Sequence, residues 1–353
     1  MNCEKILIAM SGGVDSSVAA FLLKQQGHDC VGVTMHLFSP SVPSNESPVS
    51  CDSTDAEKIA KKIGIPFEIC DYSAEFRHHV IDYFIRTYID GGTPNPCVEC
   101  NRTMKFGKLY EAALRYGCDK IATGHYANIT KDTNGRYLLS AASDDSKDQT
   151  YVLWSLSQDQ LARTLFPLGK LRKSEIREIA LQQGFCNAHR RDSQDICFIP
   201  DGDYISFIEK NTDITLPRGK FVDLNGTVLG EHQGLIRYTI GQRKGLGIAF
   251  GKPTYVCGKD AACNTVILGN NEDLFHRDLT AHAVNLIATD RINQPMHVQA
   301  KVRYSANAAP ATVEQIDADR IQVRFDEPQR AICKGQSLVM YDGNLVIGGG
   351  IID

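Results

Sequence analysis

The junction at residues 5–23 constrains this chain most. An apolar run, Lys5-Ile6-Leu7-Ile8-Ala9-Met10, leads into Ser11-Gly12-Gly13-Val14-Asp15-Ser16-Ser17. The helical segment Val18-Ala19-Ala20-Phe21-Leu22-Leu23 follows, with Gly27 placed to cap it. Glycines let backbone N–H groups approach an anion closely, and a helix N-terminus adds positive potential worth roughly 0.3–1 kcal/mol per charge. A strand, a tight loop and a helix in this order suit a polyphosphate. The loop is not a Walker A, because no Gly-Lys-Ser/Thr follows the glycines, and the Gly-x-Gly-x-x-Gly of dinucleotide folds is absent.

Ser11 to Ser17 resembles the PP-loop of ATP pyrophosphatases, which split ATP between its α and β phosphates while adenylating a carbonyl oxygen. The bland alternative is a strand-to-helix turn with a serine cap. Agreement between strand, loop and helix argues against it.

Up to about residue 200 strand-like and helical stretches alternate. Cys30–Met35 and Phe67–Cys70 read as strands. Asp55–Gly64 reads as a helix with Ala56, Ile59, Ala60 and Ile63 on one face, and Phe76, Val80, Phe84 and Tyr88 stripe another. A helix around Phe106–Arg115 leads to the strand Lys120–Thr123, which ends at Gly124-His125. Repeated strand–helix units predict an α/β domain with a doubly wound parallel sheet, ligands lying at the strands' C-terminal ends. Beyond residue 200 the texture changes. Asn225-Gly226 is a hairpin signal, and 201–278 predicts a small β-rich central domain. From Leu279 the short runs Val298–Tyr304, Thr312–Ile316, Ile321–Phe325, Ser337–Tyr341 and Leu345–Ile347 predict a C-terminal β-barrel over 279–353.

Composition limits partners more than function. A formal charge of −4 gives no global basic signature, so a nucleic acid must meet local patches. No apolar run approaches membrane-spanning length, and residues 1–10 lack a signal peptide's apolar core, so a cytoplasmic chain is expected. Twelve irregularly spaced cysteines suit a reducing compartment in which a few are reactive.

Two segments hold cysteines beside polar residues: Asn95-Pro96-Cys97-Val98-Glu99-Cys100-Asn101, and Arg190-Arg191-Asp192-Ser193-Gln194-Asp195-Ile196-Cys197-Phe198. A thiol near a helix start has its thiolate favoured. Buried structural cysteines, or half of a zinc site, are the competing readings. No second Cys-x-x-Cys supplies the other half.

Taken together the chain resembles the tRNA-specific 2-thiouridylase family, the MnmA type, over essentially its whole length. The marks are the PP-loop, Thr93-Pro94-Asn95-Pro96 with Cys100-Asn101, Thr123-Gly124-His125-Tyr126-Ala127 and Lys147-Asp148-Gln149-Thr150-Tyr151. Further marks are Phe166-Pro167-Leu168-Gly169, Asp195-Ile196-Cys197-Phe198-Ile199, Tyr238–Gly245, Lys301-Val302-Arg303-Tyr304 and Gly335-Gln336.

The resemblance implies that Ala9, Met10, Ser11, Gly12, Gly13, Val14, Asp15 and Ser16 hold ATP phosphates while Met35 and Gly124 line the adenosine. Asp15 would act through Mg2+ or loop geometry. The wobble uridine's C2 oxygen would attack the α-phosphate. Cys197 would carry sulfur as a persulfide, and Cys100 would be the nucleophile that resolves it, leaving a transient disulfide. Asn95, Pro96 and Cys97 would lie near the target base. His125, Lys147, Asp148, Gln149, Arg303, Tyr304 and Gln336 would contact tRNA. The basic run Arg163, Lys170, Arg172, Lys173, Arg177 and the pair Arg190-Arg191 would meet phosphates. The implied partners are tRNAs reading lysine, glutamate and glutamine codons and a persulfide donor such as a cysteine desulfurase or relay protein. The chain is expected to be a monomer.

One departure matters. Many family members carry aspartate where this chain has Cys97. The change creates Cys97-x-x-Cys100, and with Cys197 three thiols could ligate an iron–sulfur cluster; the persulfide reading is preferred. Two rivals remain open: another PP-loop enzyme adenylating a small metabolite, and a non-catalytic tRNA-binding or sulfur-carrier protein.

Overall fold

A computed structural model of the chain describes residues 3–38, 53–190, 196–248 and 251–353. Arg191 and Asp195, and with them much of the polar approach to Cys197, lie outside the described residues.

The first domain is built on strands β1 (Lys5–Ala9), β2 (Asp29–His36), β3 (Phe67–Asp71) and β4 (Lys120–Ala122), with helices α1 (Val14–Gln25) and α2 (Ser53–Ile63). A hairpin, β5 (Asn128–Lys131) and β6 (Tyr137–Ser140), and a short β7 (Thr164–Leu165) follow. The main sheet has five strands in the order β3-β2-β1-β4-β7, all parallel. Ile6, Leu7 and Ile8 are fully buried because helices cover both faces, one core cluster lying on each side. The doubly wound α/β expectation holds. Gly27, at φ +88°, ends α1 with its N–H on the Lys24 carbonyl.

One helix begins earlier than its apolar pattern suggests. Helical backbone runs from 96 to 115, and not from Phe106, because Asn95 caps it and Pro96 occupies its first position. Cys97 and Cys100 therefore stand in its opening turns instead of ahead of it. From Cys100 to Lys108 the helix is widened into π geometry.

The middle of the chain forms a four-stranded sheet in the order Tyr255–Asp260, Thr265–Gly269, Gly219–Asp223, Val228–His232. Asn225-Gly226 turns the expected hairpin between the last two, with Gly226 at φ +84°.

The C-terminal part is a closed barrel of six strands: Phe275–Leu286, Ile321–Arg330, Ala309–Gln315, Met296–Lys301, Ser337–Asp342 and Leu345–Ile352. The last closes on the first. Two local expectations are corrected. The strand expected to reach Tyr304 stops at Lys301, so Arg303-Tyr304 lie in the bend beyond it, where a side chain can face outward. The β5–β6 hairpin, which alternation of strand and helix did not foretell, pairs with the barrel through Leu345 and Ser140. It ties the first domain to the last.

Candidate functional site

The polyphosphate loop lies between β1 and α1. Met10 N–H continues the sheet by donating to the Val33 carbonyl, 2.8 Å, and the chain then leaves it through Gly12 at φ +75°. Ser16 Oγ and Ser17 Oγ both donate to the Gly13 carbonyl, at 3.1 and 2.9 Å. Ser11 N–H donates to Ser16 Oγ at 3.2 Å. The hydroxyls thus brace the loop, while the opening N–H groups of α1, which no helix satisfies internally, face its mouth. A Cβ on Gly124 would stand 2.7 Å from Ser16 N and 2.9 Å from the Asp15 carbonyl carbon, so only glycine fits there. Met35, buried at the end of β2, is on the strand beside β1. Gly12 turns the loop at φ +75° and Gly124 packs directly on the first turn of α1, a strand-to-helix loop of the kind that suits a polyphosphate.

Three residues near the loop have roles that their sequence context does not disclose. Lys173 Nζ lies 2.7 and 2.8 Å from the two Asp15 carboxylate oxygens, and Tyr126 Oη donates to Asp15 Oδ1 at 2.6 Å. Asn187 Nδ2 reaches the Gly12 carbonyl at 2.8 Å and Ser17 Oγ at 3.0 Å. Lys173, expected on the surface as one of a basic run, is only 8 % exposed. Its neighbour in that run, Arg163, is stacked on Tyr110 at 4.6 Å. Of the two roles expected for Asp15, magnesium or loop geometry, its contacts with Lys173 and Tyr126 bear on the second. No local pattern could have exposed the Asp15–Lys173 pair, since 158 residues separate them.

The thiols occupy a second region. Cys100 is buried in a large apolar cluster that also contains Met35, and Cys197 and Ala9 are half-buried against the same cluster. Phe198 anchors the Cys197 segment by ring contacts to Phe84 at 5.4 Å and Phe207 at 5.2 Å. No disulfide joins cysteines among the described residues. Nor do any three His, Cys, Asp or Glu among the described residues gather to hold a metal ion. Cys97 is exposed. The surrounding protein mass raises its thiol pKa, and Lys105 partly opposes that.

The residues expected at RNA fall into two groups. Tyr304 is 52 % exposed, edge-on to Tyr151 at 5.8 Å. Burial of its hydroxyl raises its pKa; Asp148 and Cys97 raise it further and Lys147 lowers it, so all four are neighbours. Gln336 joins them from the barrel side, its Nε2 donating to the carbonyls of Thr93 and Pro94 at 3.0 and 3.2 Å. Arg303 donates to the Arg330 carbonyl at 3.2 Å.

Several of these residues spend their polar atoms within the protein. Asp148 accepts from Ala142 N and Thr150 N, and Gln149 Oε1 accepts from Tyr126 N at 2.9 Å. His125 is buried between Phe106 and Phe166, with Nδ1 2.7 Å from Thr123 Oγ1. Burial first, and Lys105 second, hold its pKa well below the usual value, so it is neutral. Asn95 Oδ1 caps the helix by accepting from Val98 N at 3.4 Å. Cys100 and Met35 thus belong to one apolar cluster, against which Cys197 and Ala9 also pack.

Three family models match the chain in succession: a "tRNA methyl transferase HUP domain" over residues 4–201, a "tRNA methyl transferase PRC-barrel domain" over 206–270, and an "Aminomethyltransferase beta-barrel domain" over 276–352. The chain is 51% identical over 354 residues to the tRNA-specific 2-thiouridylase MnmA of Clostridioides difficile (strain 630), covering 99% of this chain and 98% of that one. It is 48% identical to the protein of the same name from Clostridium acetobutylicum, covering 99% of both chains. A third relative, MnmA 2 of Clostridium tetani, is 49% identical over 99% of both.

Proposed function

The chain belongs to the tRNA-specific 2-thiouridylase family, and on that premise we propose that it is a tRNA sulfurtransferase that uses ATP to replace the C2 oxygen of the wobble uridine with sulfur. The observation that supports the reading is that Cys100 is buried in an apolar cluster with Met35, and Cys197 and Ala9, distant from it in sequence, pack against that same cluster.

The chemistry follows from the groups at hand. Residues 9–16, with Met35 and Gly124, bind ATP as substrate, the loop amides stabilising charge on the phosphates. The uridine C2 oxygen attacks the α-phosphate, the α–β bond breaks, and pyrophosphate leaves. The adenylated oxygen is now a good leaving group, departing as AMP. Cys197 enters as a persulfide loaded by a donor protein. Cys100 attacks the inner Cys197 sulfur, the S–S bond breaks, and the outer sulfur ends on C2. A Cys100–Cys197 disulfide remains for a cellular thiol reductant to reopen. The apolar wall excludes water that would hydrolyse the adenylate.

Tyr304, Lys147, Gln336 and the Asn95–Cys97 turn receive the anticodon loop, with Tyr304 suited to stack on an unpaired base. The substrates are tRNAs reading lysine, glutamate and glutamine codons. The chain acts as a monomer in the cytoplasm, with catalytic, central and barrel units at 1–200, 201–278 and 279–353. A small metabolite as acceptor would leave both thiols without a task.

Mass spectrometry of nucleosides tests this. Unmodified tRNA is incubated with the protein, ATP, magnesium and a persulfide donor. 2-Thiouridine is expected with wild type and Cys97→Asp, only when ATP is present, and not with Cys100→Ala or Cys197→Ala. Thiolation by either alanine variant at the wild-type rate would remove the two-thiol mechanism.

A further inference from the structure

Asn187 ties the phosphate loop to a turn 175 residues further along the chain. That turn follows the helix Lys173–Gln182 and is anchored on both sides. Phe185 meets Phe21 of α1 edge-on at 6.2 Å, and the Asn187 carbonyl accepts from Arg190 N at 2.9 Å. Asn187 itself is only 3 % exposed. Its Nδ2 donates to the Gly12 carbonyl at 2.8 Å and to Ser17 Oγ at 3.0 Å. A carbonyl oxygen only accepts, so nitrogen is the atom that faces Gly12 and the orientation of the amide is fixed.

These two bonds govern two carbonyls. Gly12 is held directly. Ser17 Oγ, having accepted from Asn187, donates its own proton to the Gly13 carbonyl at 2.9 Å, which Ser16 Oγ and Ser17 N also reach at 3.1 and 3.2 Å. Both carbonyls are thereby spent on donors of the protein. Their direction matters, because a carbonyl dipole aimed at a phosphate repels it whereas an N–H attracts it. In a trans peptide the C=O and the following N–H point in opposite directions. With the Gly12 carbonyl drawn to Asn187, the Gly13 N–H faces the other way, toward Ser11 Oγ at 3.4 Å. This peptide is flanked by two glycines, the first at φ +75°, so it turns over easily unless a partner holds it.

We propose, on the reading of residues 9–16 as the ATP phosphate site, that Asn187 is a positioning residue for the nucleotide. Its amide sets the peptide between Gly12 and Gly13 so that the loop offers N–H groups, and not carbonyls, to the phosphate chain. It acts through Gly12 and Ser17.

Pyrophosphate release by the intact protein, with tRNA and a persulfide donor present, is measured against ATP concentration. A loop that holds the phosphates equally before and during the reaction governs binding, so Asn187→Ala should raise KM for ATP about tenfold and leave kcat within about threefold. A purely structural role reads differently: a partly unfolded variant loses active molecules, which lowers kcat and leaves KM unchanged. Ser17→Ala breaks only the Gly13 branch, and its KM should rise about threefold. Thermal melts without nucleotide identify any loss of fold. An unchanged KM in folded Asn187→Ala, or in Ser17→Ala where Asn187→Ala does not fold, overturns the positioning role and leaves the phosphate site standing. A wild type that releases no pyrophosphate removes the phosphate-site reading and the role of Asn187 with it.

Discussion

Lys173 Nζ bridges both carboxylate oxygens of Asp15, at 2.7 and 2.8 Å, and so fixes the first turn of the helix that follows the phosphate loop. In the proposed reaction this pair lies beside the loop that would hold the phosphates. Replacing Lys173 by alanine strips a half-buried carboxylate of its cation and leaves the Tyr126 hydroxyl donating to it. Stability should fall by about 1–2 kcal/mol in urea melts. Pyrophosphate release should fall by about 10²–10³-fold, with Lys173→Arg recovering part of it. An unchanged release rate in the folded alanine variant would leave Lys173 a purely structural residue.

Gly124→Ala is a sharper probe of the nucleotide cradle. The new Cβ meets backbone atoms at 2.7 and 2.9 Å, which cannot swing aside as a side-chain tip can. The loop must shift, costing about 1–3 kcal/mol and weakening ATP binding at least about tenfold. Calorimetric titration with a non-hydrolysable ATP analogue measures it, and wild-type affinity would contradict so close an approach of the two segments.

Cys97 is accessible but a poor thiolate. Because its pKa is raised, the protonated form dominates at neutral pH, and alkylation should still accelerate with pH above the normal thiol range. Iodoacetamide labelling followed by peptide mass spectrometry reports the profile. A midpoint near or below about 8 would show that Lys105 outweighs burial.

Lys259 predicts a pH-dependent stability. Burial lowers its pKa from 10.5 to about 8, opposed weakly by Cys333. Below about 8 the folded and unfolded chains both hold the proton, so the penalty is constant. Between about 8 and 10.5 only the folded chain releases it, so stability rises with pH. Lys259→Met should be more stable than wild type at pH 7 and should lose this rise. Urea midpoints of the two proteins, compared from neutral pH upward, give the difference; parallel profiles would refute the assignment.

Much of the function is legible in the order of residue types alone. Gly12, Gly13 and the strand–helix pattern around them carry local information, because a phosphate loop is made by consecutive residues whose conformational needs show in their types. The order of motifs, with Cys100 and Cys197 among them, points to the family for the same reason. The barrel's strands can be read from alternation, and the Asn225-Gly226 hairpin from its turn residues.

The rest depends on contacts that no local pattern encodes. Lys173 looks in sequence like any residue of a basic run, and its burial against Asp15 arises only when two distant helices meet. His125 and Asp148 look like surface polar residues, but the rings of Phe106 and Phe166 enclose one and the Thr150 turn absorbs the other. Asn187 reads as one polar residue of a turn, and its hold on Gly12 and Ser17 arises only when that turn meets the phosphate loop. Residues that act with their chain neighbours specify which chemistry this protein carries, and those neighbours are written in the chain. Which charges are neutralised, which donors stay unspent and which thiol meets solvent are settled by the packed molecule, because burial and pairing are properties of surfaces in contact and not of strings.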